Sequence, residues 1–280
     1  MKKIVVPVDF SEQASYALDF AIELNDKVKG EIILVHVVDI PVGHLNFTGE
    51  VNSSGMESFY TGEFIKATHN KLEEWSKRVI DKNQKVSVHM KYGNAFTNIS
   101  KIIAEESATW IIMGSKGASG LREVFIGSNA ERMIRHAECP VFIIKGETHL
   151  KDIKSMAFAS DLSKEQDLIA YHAKDIQELL GLNMHVVKVK TPYNWLEEVQ
   201  VKKMLEHFAE RNHLKDFTTS TIEADFVDTG AVKFAEDVNA GLIVMGTHGK
   251  KGIAHIIGGS IAEDVVNESK IPILIFKILE

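Results

Sequence analysis

Gly114-Ser115-Lys116-Gly117, nine residues, then Gly127-Ser128: this stretch follows the apolar run Trp110-Ile111-Ile112-Met113, and it occurs twice. The second copy reads Gly246-Thr247-His248-Gly249, nine residues, then Gly259-Ser260, after Leu242-Ile243-Val244-Met245. A short apolar run closed by glycine predicts a buried strand, and the Gly-Ser step predicts a helix start. Glycines between such a strand and a helix N-terminus let backbone amides approach a phosphate closely. Two copies at matching places in two repeats make a phosphate-binding loop the leading reading.

The repeat extends outward from the loops. Lys3-Ile4-Val5-Val6-Pro7-Val8-Asp9-Phe10-Ser11 matches Ser155-Met156-Ala157-Phe158-Ala159-Ser160-Asp161-Leu162-Ser163, each an apolar strand ending in Asp-x-Ser. Glu31–Val37 and Met184–Val189 are β-branched second strands. Cys139-Pro140-Val141-Phe142-Ile143-Ile144 and Ile271-Pro272-Ile273-Leu274-Ile275-Phe276 close the two units. Asp9 and Asp161 are 152 positions apart, Gly114 and Gly246 only 132, so the second unit is shorter between its second strand and its loop. Ala14, Ala17, Leu18 and Ala21 recur at helical spacing, as do Ile169, Ala173, Ile176 and Leu180. Near-continuous apolar strands alternating with helices predict a parallel sheet covered on both faces. The expected domains are 1–147 and 151–280, divided at the polar link Gly146–Lys151. Pro41 to Glu63, rich in Gly, Ser, Asn and Thr, reads as a long surface loop, with plain disorder favoured over a functional lid.

Composition bounds the function. Of the 280 residues 45% are apolar and 25% charged, as in a globular protein, and the formal net charge is −7. A negative chain has no basic excess for a nucleic-acid backbone. The N-terminal apolar run stops at Asp9, too short for a signal-peptide core, and no run reaches the roughly 18 apolar residues of a membrane span. The single cysteine, Cys139, has no internal disulfide partner. These features lead us to expect a cytoplasmic protein with no membrane partner.

In an open parallel sheet ligands bind beyond the strand C-termini, where the strand order reverses. Asp9 and Asp161 end first strands; the glycine loops end fourth strands. If strands one and four are neighbours, each aspartate faces its loop. Lys116 and Arg122 in the first loop, and His248, Lys250 and Lys251 in the second, suit a polyphosphate as well as a solvated loop. Ser128-x-x-Glu131 and Ser260-x-x-Glu263 are also capping boxes, which need no ligand. The pattern is neither a Walker A loop, since no Gly-Lys-Ser/Thr follows the spacer, nor a dinucleotide fingerprint, since the turn after strand one has no glycine.

The aspartate after strand one, the Gly-x-x-Gly-(nine)-Gly-Ser loop and the Pro-Val/Ile closing strand resemble the universal stress proteins, and in particular the branch whose loop binds ATP. The resemblance covers nearly the whole chain as a tandem. It implies two open-sheet Rossmann-like domains of the adenine nucleotide alpha hydrolase-like kind, each a five-stranded parallel sheet in the order 3-2-1-4-5. It implies an adenine nucleotide in the crevice: ATP, or AMP or ADP, with Mg²⁺ carried on the phosphates. Asp9 and the backbone of Val37 would hold the nucleoside; Gly114, Gly117, Gly127, Ser128 and Asn129 would line ribose and phosphates. Pro7, Met113 and Lys116 complete the first set. Asp161, Val189, Met245, Gly246, Gly249, Gly259, Ser260 and Ile261 form the second. The halves differ where Pro7 and Val8 become Ala159 and Ser160, and where Gly93 aligns with Asp225. The resemblance also implies that closing strands pair across a two-fold, so the two halves would form an intramolecular pseudo-dimer, with further self-association open.

An enzyme would need a base, a nucleophile or a metal cluster. The twelve histidines show no metal-ligand spacing. His36 reads as a hydrogen-bonded core histidine and Cys139 as a small buried hydrophobe. The alternatives to a nucleotide-binding stress or signalling module are a slow ATPase or adenylyl-transfer enzyme, and an interaction scaffold with empty loops.

Overall fold

The computed structural model describes residues 1–39, 56–117, 126–247 and 261–278, with only the backbone of 56–61. The first half runs β1 (Lys3–Pro7), α1 (Glu12–Val28), β2 (Glu31–Val38), α2 (Met56–Ile80), β3 (Lys85–Tyr92), α3 (Ala95–Glu106), β4 (Trp110–Gly114), α4 (Ser128–His136) and β5 (Val141–Ile144). The second repeats the order: β6 (Ser155–Ala159), α5 (Asp167–Leu180), β7 (Asn183–Lys190), α6 (Glu198–Arg211), β8 (Phe217–Glu223), α7 (Val227–Asp237), β9 (Leu242–Thr247), α8 (Ile261–Glu268) and β10 (Ile273–Lys277).

These strands form one mixed sheet, β3-β2-β1-β4-β5-β10-β9-β6-β7-β8. Within each half every pairing is parallel, in the order 3-2-1-4-5. The halves meet where β5 and β10 pair antiparallel, Ile143 opposite Ile273 and Val141 opposite Ile275. The carboxyl ends of the two sets of strands therefore lie on opposite edges of the sheet.

Alternation along the strands builds two cores, each running through both halves. Ile4, Val6, Phe142, Ile144, Phe158, Leu274 and Phe276 face α1, α2, α5 and α6. Val5, Ile111, Val141, Ile143, Ala157, Ile273 and Ile275 face α3, α4, α7 and α8. The strand interiors are buried on both faces, which explains why they read as continuous apolar runs.

The segment expected to be a loop from Pro41 to Glu63 needs correction at its C-terminal end, because Met56–Glu63 opens α2. Residues 40–55 lie outside the described residues, and the lid reading falls mainly there. The first described turns of α2 carry Glu63 and Phe64 exposed, while core contact starts at Thr68, Leu72 and Val79. A helix extended beyond the face it buries shows no apolar periodicity there.

The link between halves docks onto α1. His149 Nδ1 lies 2.6 Å from Glu23 Oε1, and Leu150 donates its N–H to Glu23 Oε2 at 2.7 Å. The hydrogen bond to Glu23 raises the His149 pKa, with Glu147 adding to it and Lys151 opposing it. A raised histidine pKa gives stability that is full below the unfolded value near 6.5 and lost as pH rises through the folded value. The difference in melting temperature between parent and Glu23→Gln should therefore be larger at pH 6 than at pH 8.5. Thermal scans at both values check this; a pH-independent difference would show that His149 contributes no charge to the link.

Candidate functional site

The turn after β1 is built by its own sequence. Asp9 Oδ1 accepts from Ser11 N at 3.0 Å and from Ser11 Oγ at 2.5 Å, and Ser11 in turn caps α1 by accepting from Ala14 N. Phe10 takes the left-handed conformation, φ +64°, and Leu162 repeats it at φ +68°. This turn leaves the second Asp9 oxygen toward the glycine loop: a β-carbon at Gly117 would stand 2.8 Å from Asp9 Oδ2.

The loop is pinched at its neck. Gly127 N donates to Ser115 O at 2.8 Å, and Ser115 N to Ile144 O at 3.2 Å. Residues 118–125, with Arg122, lie outside the described residues. A β-carbon at Gly127 would meet Gly117 N at 3.5 Å and Lys116 Cα at 3.6 Å, so the two glycines face each other across a narrow cradle. Gly114 has a different reason: a β-carbon there would collide with Gln13 of α1, at 2.8 Å from its Cβ. Gly246 repeats this against Ile169 of α5, at 2.1 Å. The first glycine of each loop thus serves helix packing.

The capping-box expectation for Ser128 is corrected. Gly127 occupies the N-cap position with φ −69° and ψ 146°, and α4 has no side-chain cap bond. Ser128 is the first helical residue, and its side lines the crevice instead. The open first-turn amides and the helix dipole favour an anion at this point.

Pro7, Asp9, Val37, Met113, Gly114, Lys116, Gly117, Gly127, Ser128 and Asn129 all line one cavity of 160 Å³. Ala95 and Ile99 of α3 wall its far side, a contribution that the glycine pattern did not signal. His36 sits behind it, Nδ1 2.7 Å from Val8 O and its ring 4.5 Å from that of Phe10. Lys145, after β5, donates to Val266 O in α8. Burial, and then the Lys116 charge, lower the Lys145 pKa to about 8.

The second half places Asp161 in the same turn, Oδ1 accepting from Ser163 N at 2.9 Å. Around it the chemistry differs. At the position of His36 stands Lys188, whose buried Nζ donates to Asp161 O at 3.0 Å. Burial holds its pKa below the ordinary lysine range, with Asp161 opposing. Asn194 Nδ2 donates to Val189 O at 3.3 Å. Gly230 lets α7 press on β7, since a β-carbon there would lie 2.6 Å from Val189 Cγ1. The alignment of Gly93 with Asp225 shifts by one: Gly93 N bonds Val38 O and Ala224 N bonds Lys190 O, so Ala224 is the counterpart. Gly93 has φ +95°, which alanine avoids, and the second half inserts one more residue before its helix. Met245 ends buried in β9 beside Gly246, and Ile261 opens α8. His248, Gly249, Lys250, Lys251, Gly259 and Ser260 lie outside the described residues.

Among the described residues no three His, Cys, Asp or Glu side chains gather as a metal group, and no helix is long and apolar enough to cross a membrane. Cys139 is buried, and burial pushes its thiol up to about 12, which suppresses thiolate chemistry.

A sequence model of the universal stress protein family matches residues 1–145 and again 153–277. The chain belongs to the universal stress protein family. Its tandem form is shared along the whole length with a universal stress protein of Synechocystis, 24% identical over 298 residues, 99% of this chain and 100% of that protein. A universal stress protein of Methanocaldococcus jannaschii is 32% identical over 157 residues, 51% of this chain and 94% of that protein. The crystal structure of a universal stress protein from Archaeoglobus fulgidus superposes with TM-score 0.76 at 22% identity, covering 99% of this chain and 98% of that one, a likeness of fold.

Proposed function

We propose that this universal stress protein binds an adenine nucleotide in its first half and works as a stress-response or signalling module. The observation that carries the reading is the convergence of Asp9, the Gly117–Gly127 cradle and the open N-terminus of α4 on one cavity. A cradle that a β-carbon would fill, facing a helix N-terminus with a glycine cap, suits phosphate oxygens. In this reading Asp9 and the Val37 backbone hold the nucleoside, with Pro7 and Met113 as walls. Gly114, Lys116, Gly117, Gly127, Ser128 and Asn129 surround ribose and phosphates. ATP is the proposed ligand, with ADP and AMP in the same class and Mg²⁺ supplied with the phosphates. The units 1–147 and 151–280 form the proposed pseudo-dimer, in a reducing cytoplasm that keeps Cys139 a thiol.

Mass spectrometry of nucleotide released from the purified protein tests the reading, together with calorimetry on the stripped chain. Bound or titratable adenine nucleotide is expected. No released nucleotide and no binding heat with ATP at millimolar concentration would leave an interaction scaffold instead. Sustained turnover of Mg-ATP would make it an ATPase.

The second site, Asp161, Val189, Met245, Gly246, Gly249, Gly259, Ser260 and Ile261, should bind more weakly. Lys188 and Asn194 already occupy the Asp161 and Val189 carbonyls, and α7 crowds Val189. Loss of one hydrogen-bond partner and some space weakens binding by about tenfold. Calorimetry on chains mutated in one loop at a time checks the ranking; equal or reversed affinities would refute it.

A further inference from the structure

We propose that Asn267, in the last turn of α8, is a positioning residue for the phosphate loop of the other half, so that the first crevice is complete only with the second half docked on it. The proposal rests on the nucleotide reading above. Asn267 Oδ1 accepts a hydrogen bond from the backbone N–H of Ile126 at 2.7 Å. Ile126 is the residue before Gly127, whose own N–H is held by Ser115 O at 2.8 Å. Two successive amides at the loop's exit are thus fixed, one by the first half's own strand end and the other by a side chain from the second half. Together they set the direction in which Ser128 enters α4.

That fixing matters because α4 lacks the usual device. Its N-cap is Gly127, which has no side chain to cap the first turn. A glycine entry leaves the chain direction loose unless something outside holds it. Asn267 supplies the hold, and the side chain of Ile126 packs on the core beneath α4 and α8.

The two helices also meet at their other ends. Arg135, in the last turn of α4, makes a bidentate pair with Glu263 in the first turn of α8, with Nη2 2.6 Å from Oε2. Glu263 is buried, so the pair fixes α8 against α4 firmly. Lys145 adds a further bond across the halves, to Val266 O. Asn267 stands 132 positions after Arg135, the same offset as the two loops, so equivalent positions carry different side chains. Arginine reaches the partner helix; asparagine reaches the partner loop. The loop contact is therefore made toward the first half by a residue that its repeat counterpart cannot mimic.

The test uses the full-length chain as parent, Asn267→Ala and Asn267→Asp, the last keeping an acceptor oxygen at the same place. The first-site isotherm is the one that Gly127→Val removes. Asn267→Ala is expected to weaken ATP at that site about fivefold to tenfold, the weight of one hydrogen bond. It should speed amide exchange at Ile126 and leave the ligand-free melting temperature near that of the parent. Asn267→Asp is expected to restore most of the affinity and the Ile126 protection. Unchanged affinity in Asn267→Ala, or an Asp variant no better than Ala, overturns the proposal while the nucleotide reading stands. A parent that binds no ATP overturns both.

Discussion

A chain carrying Gly127→Val is expected to lose adenine-nucleotide binding while keeping the circular dichroism of the parent. The backbone at Gly127, φ −69° and ψ 146°, is one that valine adopts freely. Its β-carbon would make only ordinary contacts, at 3.5 Å to Gly117 N and 3.6 Å to Lys116 Cα and Ser115 O. The neck bond from Gly127 N to Ser115 O uses the backbone and survives. The added methyl groups fill the cradle where phosphate oxygens would meet the first amides of α4. Gly117→Val acts differently. Its β-carbon would press to 2.8 Å from Asp9 Oδ2, so it displaces the carboxylate as well as closing the cradle from the other side. Each charge-assisted hydrogen bond lost from a phosphate weakens binding by about 1.5–3 kcal/mol. The double variant should therefore raise the Kd for ATP by on the order of 100-fold or more. Calorimetry and circular dichroism on the same preparations check it. A folded double variant that still binds ATP with the parent's affinity would put the site elsewhere.

The sheet was legible because it is written twice. Strand runs such as Val5-Val6 and Ile111-Ile112 are buried on both faces, and the repeated Asp-x-Ser and glycine loops gave their order. The antiparallel seam came from the family resemblance; the residues alone marked two apolar closing strands whose edges need cover. What stayed hidden depends on contacts distant in sequence. Gly114 and Gly246 read as ligand-lining glycines; each also makes room for the first helix of its half, which spacing alone cannot reveal. Ser128 carried the signature of a cap, but Gly127, held by its neck bond to Ser115 O, took that position and the helix begins one residue earlier, at Ser128. Glu63 and Phe64 of α2 are exposed, so no apolar period marked that part of the helix. No motif in the sequence singles out Lys188 or Asn267; their partners, Asp161 O and Ile126 N, are set by tertiary structure.

The seam between the halves carries the other large effect. Ile143 and Ile275 are 0% and 1% exposed and belong to the same core, on the face covered by α4 and α8. Ile143 lies opposite Ile273, and Ile275 opposite Val141, so the four side chains form one apolar block across the β5–β10 pairing. Lysine at both positions would place two ammonium groups in that apolar block. An unpaired charge moved from water into such a site costs several kcal/mol even after relaxation. Two such charges side by side rival the 5–15 kcal/mol that holds an ordinary domain folded. The Arg135–Glu263 pair borders the same seam and would be disturbed with it, leaving buried Glu263 without its guanidinium. Ile143→Lys with Ile275→Lys is therefore expected to separate the halves or unfold the chain. Ile143→Val with Ile275→Val is the control: it removes one methylene from each side chain, costs about 0.5–1.5 kcal/mol per site, and keeps the pairing. Urea melts and crosslinking between the halves distinguish these outcomes. A double-lysine chain with the parent's stability and the parent's crosslinks would mean that the β5–β10 pairing does not hold the halves together.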